Sequence, residues 1–214
     1  MSGGSTAICG LITETHFIIS NLGDSRCILC RDGRAYPLSV DHKPILEVEQ
    51  RRILHAGGTI QDRRVNGYLA VSRAFGDFDY KSNAELSSIE QLVSCEPDVR
   101  TIKRKRMDNY IVFGCDGIWD VYPNPQEFVD DFGKQLKRSS SLKKAVVRLL
   151  DVCLKKGSRD NMSLLVVFLD SPPEYALHIF VNSFPRLKQD MKRKEKDKKR
   201  GKKKKKKSSS KTAK

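Results

Sequence analysis

YIVFGCDGIWDV, residues 110–121, decides the fold. Its first five residues are apolar, aromatic or β-branched and carry no charge, which predicts a strand. Two aspartates, Asp116 and Asp120, follow at once in the turn. Upstream, DVRTI reads as another strand, joined to this one by a charged turn through Met107-Asp108-Asn109. Farther back, residues 5–12, 16–20 and 26–31 read as strands, and Asp32-Gly33 supplies a tight hairpin turn. Segment 44–56 is helical in pattern and is stopped by Gly57-Gly58. Residues 59–71 read as another hairpin with Asn66-Gly67 at its tip.

Downstream, Asn124, Pro125 and Glu127 form the start signal of a helix, with a side-chain cap and proline in the first turn. A second helix is marked by Leu142, Ala145, Val146, Leu149, Leu150 and Cys153 at helical spacing, capped by Ser140 or Ser141 and closed by Gly157. Met162–Leu169 is almost wholly apolar and short, the pattern of a strand buried on both faces. Hairpin-linked strands with segregated helices indicate an α+β or layered α/β domain. It is expected to end near Asp170, at Ser171-Pro172-Pro173. Residues 171–187 are expected to form a linker or short helix, and 188–214 a disordered Lys-rich tail.

The formal charge of +15 over 214 residues suggests a nucleic-acid binder until it is located. The tail, 188–214, holds 16 of the 41 Lys and Arg and three of the 26 acids, leaving 25 bases against 23 acids elsewhere. The body is near neutral and the basicity belongs to the tail. Apolar runs stay shorter than the ~18 residues that would mark a membrane span, so no membrane partner is expected. The N-terminal residues lack the basic region and cleavage site of a secretory signal. Six cysteines, mostly within apolar stretches, predict free buried thiols in a reducing compartment. Cys27 and Cys30 form a CxxC, but residues three apart in a strand point to opposite faces. Cytoplasmic or nuclear localisation and a monomer are expected.

Acids directly after apolar strands carry the chemical signal. Asp24 follows FIISNLG, Asp116 and Asp120 follow YIVFGC, and Asp160 lies in GSRDNMS before the last strand. Carboxylates at a sheet rim suit hard divalent cations, which prefer oxygen donors. From spacing alone, ordinary turn or capping roles explain the same aspartates better, Asp24 above all, because Asp favours such positions.

The motifs SGGSTAICGLI, NLGDSRCILCRDGR, DHKP, an E…RI…AGG run, RVNGYLAVSRAFGDFDYK, LVSCEPDV, YIVFGCDGIWDV and CLKKGSRDNMSLLVV occur in this order. Together they resemble the metal-dependent type 2C protein serine/threonine phosphatase family over about Gly3 to Asp170. The resemblance implies a layered α-β-β-α sandwich of two antiparallel sheets flanked by helices, with two Mg²⁺ or Mn²⁺ ions at one edge. It implies phosphorylated protein substrates, hydrolysed by metal-activated water. Asp116 and Asp160 match the family's ligands for one catalytic metal, and Asp24 and Asp120, with Asp116, match a further, weaker site. The segment between DHKP and SRAFGD resembles the family's flap. Arg64, Asn66 and Arg73 fall there, with turn and ion-pair roles as open as substrate contact. His42 of DHKP is expected to be a satisfied structural residue; no other histidine sits in a motif.

The chain departs from the family in one respect. It contains no DGH, the motif whose aspartate bridges both metals in the family, and no counterpart of the N-terminal arginine that grips the substrate phosphate. The expectation is a poorly active polypeptide with unpaired strand edges, and the alternative is an inactive relative that binds partners without hydrolysing them. The Lys-rich tail reads as a nonspecific nucleic-acid or acidic-partner contact, a nuclear-import signal or a solubilising end.

Overall fold

Burial alternates along the strand before Asp24 and is continuous in the strand after it, as two sheets packed face to face with a helical layer over one of them require. The computed structural model describes residues 3–169; the boundary near Asp170, the expected linker 171–187 and the Lys-rich 188–214 lie outside the described residues. In chain order the elements are β1 (Gly4–Ser5), β2 (Ala7–Ile12), β3 (His16–Leu22), β4 (Arg26–Arg31), β5 (Arg34–Pro37), α1 (Glu47–His55), β6 (Ile60–Gln61), β7 (Arg64–Val65), β8 (Phe75–Gly76), β9 (Asp98–Lys103), β10 (Asp108–Gly114), α2 (Asp116–Trp119), α3 (Pro125–Arg138), α4 (Leu142–Lys155) and β11 (Leu164–Phe168).

One antiparallel sheet has the order β11-β10-β4-β5 and the other β2-β3-β9. Phe17, Ile19, Cys27, Leu29 and Ile111 fill the space between them. The opposite face of the four-stranded sheet, through Ile28, Cys30, Tyr110 and Val112, packs on Phe128, Phe132, Leu136, Ala145 and Leu149 of α3 and α4. Each buried Val, Leu, Ile or Phe among these contributes about 2 kcal/mol by leaving water. Cys27 and Cys30 therefore lie in two different cores, as a period of two requires. Both helices over the sandwich lie on the four-stranded sheet, while Leu11 and Val99 of the three-stranded sheet are each 60% exposed. The described residues thus supply both sheets and one helical layer. A third cluster, Ile53, Val65, Val71, Ala74 and Val93, holds the 47–93 region together separately.

Local signals explain most boundaries. Asn124 accepts the Gln126 amide and Ser141 Oγ the Lys144 amide, capping α3 and α4 as expected. Asp32 and Gly33 both take positive φ in the β4–β5 turn. Three expectations need correction. The 59–71 hairpin turns at Asp62-Arg63, both left-handed, and Asn66-Gly67 makes a second tight turn closed from Tyr68 N to Val65 O at 3.0 Å. β11 is not buried on both faces: it borders its sheet among the described residues, and Leu165 is 59% exposed. Of the six free thiols three, Cys27, Cys30 and Cys153, are buried, whereas Cys9 is exposed and Cys95 and Cys115 are intermediate.

Candidate active-site rim

The rim forms where β3, β10 and the α4–β11 connection end side by side. After Leu22, Gly23 turns the chain with φ of +100°, a conformation that strains any residue bearing a Cβ. DHKP holds this turn: His42 N donates to Gly23 O at 2.9 Å, and Gly23 N donates to His42 Nδ1 at 3.0 Å. An acceptor Nδ1 places the imidazole proton on Nε2, which faces Asp98 Oδ2 at 3.3 Å. Burial, reinforced by Arg73, lowers the His42 pKa. His42 is the structural residue expected of it. The turn carries Asp24 into a buried position, 5% exposed, where Lys43 Nζ lies 2.5 Å from its Oδ2. DHKP pointed at this segment, but Lys43 as the counter-ion of Asp24 was not anticipated.

At the end of β10, Cys115 precedes the short helix α2, and Asp116 is the first residue of that helix. Its Oδ1 accepts the Gly117 amide at 2.8 Å. The 158–163 connection is fastened onto α2. Ser158 Oγ donates to Gly117 O at 2.7 Å, Cys115 N donates to Ser163 O at 3.2 Å, and Cys115 Sγ meets Asn161 O at 3.2 Å. Gly117 permits this approach, since an added Cβ would strike the Asn161 carbonyl and come within 3.3 Å of the Asp160 Cβ. Asp116 and Asp160 are therefore neighbours by backbone packing, although 44 residues separate them in sequence. Asp160 accepts its own Asn161 amide at 2.6 Å, and Asp120 sits at the end of α2, its amide bonded to Asp116 O at 2.8 Å.

The four aspartates share one field. Burial raises the Asp116 pKa, the charge of Asp24 raises it further, and Asp160 and Asp120 add to this against the opposing Gly117 amide. Like charges gathered without enough donors favour a cation. The donor set is nevertheless incomplete: among the described residues no group of three or more His, Cys, Asp or Glu stands close enough to hold a metal ion. Asp24 is engaged by Lys43, and Asp116 and Asp160 each accept a local amide. These residues alone do not fit a closed metal site.

Arg73, Asn66 and Arg64 each have partners within the chain. Arg73 bonds Glu49 at 2.5 and 3.0 Å and Asp98 at 3.0 Å. Asn66 Oδ1 accepts the Thr59 amide at 2.8 Å, and Arg64 donates to Tyr68 O at 2.7 Å. Two clefts border the rim. One, about 470 Å³, runs along Ala7, Ile8, Phe113, Cys115 and Leu164; the other, about 440 Å³, runs from Lys43 past Val40 and Ile45 to Arg63 and Pro123.

Residues 1–162 match the family model described as Protein phosphatase 2C. The chain is 47% identical over 178 residues to Protein phosphatase ppm-1.A of Caenorhabditis elegans, covering 82% of this chain and 37% of that protein. It is 46% identical over 171 residues to mouse Protein phosphatase 1B, covering 80% of this chain and 44% of that one. A crystal structure of a phosphatase from Toxoplasma gondii superposes with a TM-score of 0.67 at 36% identity, over 74% of this chain and 50% of that one. The chain thus spans less than half the length of these curated relatives. With this order of motifs, two facing sheets and a rim of aspartates where β3, β10 and the β11 connection meet, the chain belongs to the protein phosphatase 2C family.

Proposed function

We propose that this chain supplies part of a divalent-cation-dependent centre that hydrolyses phosphoserine and phosphothreonine esters of proteins. Asp116, Asp160, Asp24 and Asp120 are its contribution, and Mg²⁺ or Mn²⁺ the cation class that oxygen donors of this kind take. The observation that carries the reading is the packing of α2 against the 158–163 connection, which sets Asp116 beside Asp160 and near Asp120, with burial and the other carboxylates raising the Asp116 pKa. Structural carboxylates are ordinarily paired with cations, so an acid surrounded by acids argues for a charge brought from outside. Because the set is incomplete, turnover by this polypeptide alone is low.

An assay of phosphopeptide hydrolysis with and without Mn²⁺ tests this. A slow, Mn²⁺-dependent rate abolished by Asp116→Asn supports it, whereas a fast rate would overturn the incomplete donor set. A rate unaffected by both Mn²⁺ and Asp116→Asn would overturn the catalytic reading. It would leave the second one, a noncatalytic phosphoprotein binder, which the Lys43–Asp24 pair favours by giving an expected metal-binding carboxylate an ammonium as its cation. We place the chain in the cytoplasm or nucleus as a monomer, with the Lys-rich segment as a contact for polyanions or an import signal. Imaging of a variant with the lysines of 202–207 changed to glutamine tests import; an unchanged distribution removes it.

A further inference from the structure

The cleft of about 440 Å³ shares its walls with the rim. Arg26 and Lys43 line it together with Val40, Ile45, Leu46 and Pro123. Lys43 holds Asp24, and Arg26 opens β4 opposite Gly114, two residues before Asp116. That register sets the cleft about 10 Å from Asp116, the span of about three residues of extended chain. Its apolar side chains are open to solvent: Val40 is 55% exposed, Ile45 41% and Leu46 39%.

The charges along it are unevenly satisfied. Arg26 donates twice to Asp41, at 3.0 and 2.9 Å, and Lys43 is paired with Asp24. Arg63 lines the same cleft, is exposed, and forms no ion pair among the described residues. Its neighbour Asp62 is exposed and is not part of the lining. Arg63 is also held at φ of +64°, directly after Asp62 at +49°. Such a backbone favours glycine or asparagine, and an arginine there is strained. Strain kept at a residue that buries nothing points to a use for its side chain.

We propose that this cleft receives the chain flanking the phosphorylated residue of a protein substrate, with an apolar side chain against Val40, Ile45 and Leu46 and a carboxylate on Arg63, the specificity-determining residue. The inference rests on the proposal that the phosphate ester is handled at the rim. Apolar burial supplies affinity, while a guanidinium without a partner favours an acidic neighbour and repels a basic one.

Fluorescence anisotropy of labelled phosphoserine peptides with the full chain and Mn²⁺ tests this. One set carries leucine and aspartate within about three residues of the phosphoserine, the other alanine and lysine at the same places. The first set is expected to bind at least ~10-fold tighter. Arg63→Gly should remove about 2- to 5-fold of that preference, all of it from the aspartate. The same variant should melt about 1–3 °C higher, because glycine relieves the backbone. Ile45→Ser should lose the preference for leucine and keep that for aspartate. Equal binding of the two sets, no binding of either at millimolar peptide, or an Arg63→Gly variant that keeps the full preference overturns the proposal. A lower melting temperature for Arg63→Gly makes the arginine structural and overturns it too. A dimer that dissociates in Ile45→Ser overturns it in favour of a second copy of this chain. The preference without any Mn²⁺-dependent hydrolysis supports the cleft and tells against the catalytic reading only.

Discussion

Two carboxylates, the buried Glu49 of α1 and the half-buried Asp116 at the rim, meet opposite environments. Glu49 is 2% exposed, yet its pKa falls to about 2. Burial pushes it up, but hydrogen bonds from Arg73 and Ser72 and the charge of Arg52 outweigh that. Asp116 has one backbone amide and three like charges, and its pKa rises. The first carboxylate is finished by its own chain and is structural. The second is left in deficit, which costs stability and makes sense where another charge is to be received.

The largest effect that could break this contrast is loss of the Glu49 charge. Glu49→Gln leaves the mostly buried Arg52 without its acid and Arg73 with Asp98 alone, and should lower unfolding free energy by about 3 kcal/mol in urea titrations. An effect below about 1 kcal/mol would show that the pair merely offsets its own desolvation. Acid should act through the same residue. Its folded pKa lies below the unfolded 4.5, so the stability it contributes is present above pH 4.5 and is lost as pH falls toward 2. Melting temperatures across that window should drop in the wild type and drop less in Glu49→Gln.

A smaller effect is expected at the joint between α2 and the 158–163 connection. Gly117→Ala drives a Cβ into the Asn161 carbonyl and should cost about 1–3 kcal/mol. The displaced Asp160 should appear as NMR shift changes confined to 158–163. The smallest effect should have the opposite sign. Asp116→Asn removes a repelled charge and is expected to raise stability by about 0.5 kcal/mol, while abolishing any Mn²⁺-dependent shift in melting temperature. The cost of the Asp116 charge is present above its raised pKa and vanishes as pH falls through it, so the gain should fade in acid. A destabilised Asp116→Asn would mean that this carboxylate is structural after all.

Elements whose signal is local were legible in the sequence. The apolar period of α4, its serine cap and Gly157 stand within a few residues of one another, and the helix spans Leu142–Lys155. Asp32-Gly33 makes its turn for the same reason. Where two local signals competed, the choice failed: Asn66-Gly67 took a turn of its own, and the hairpin tip fell to Asp62-Arg63, where Arg63 is not a residue type that advertises a left-handed backbone. β11 reads as doubly buried because apolarity does not say how many neighbours a strand has. At the rim, chain position pointed to Asp24, Asp116, Asp120 and Asp160. The Lys43–Asp24 pair and the Glu49–Arg73 bond, spanning 19 and 24 residues, have no period to betray them.

Leu169, 6% exposed and packed between the two sheets, also has a mechanical meaning. Any tension applied to the C-terminal segment enters the molecule through this side chain and the five residues of β11. About 17 Å farther on, that strand begins beside the connection that positions Asp160. Tethering the Lys-rich end to a large polymer would thus load the strand leading to the rim, and β11 would be the first to shear from β10.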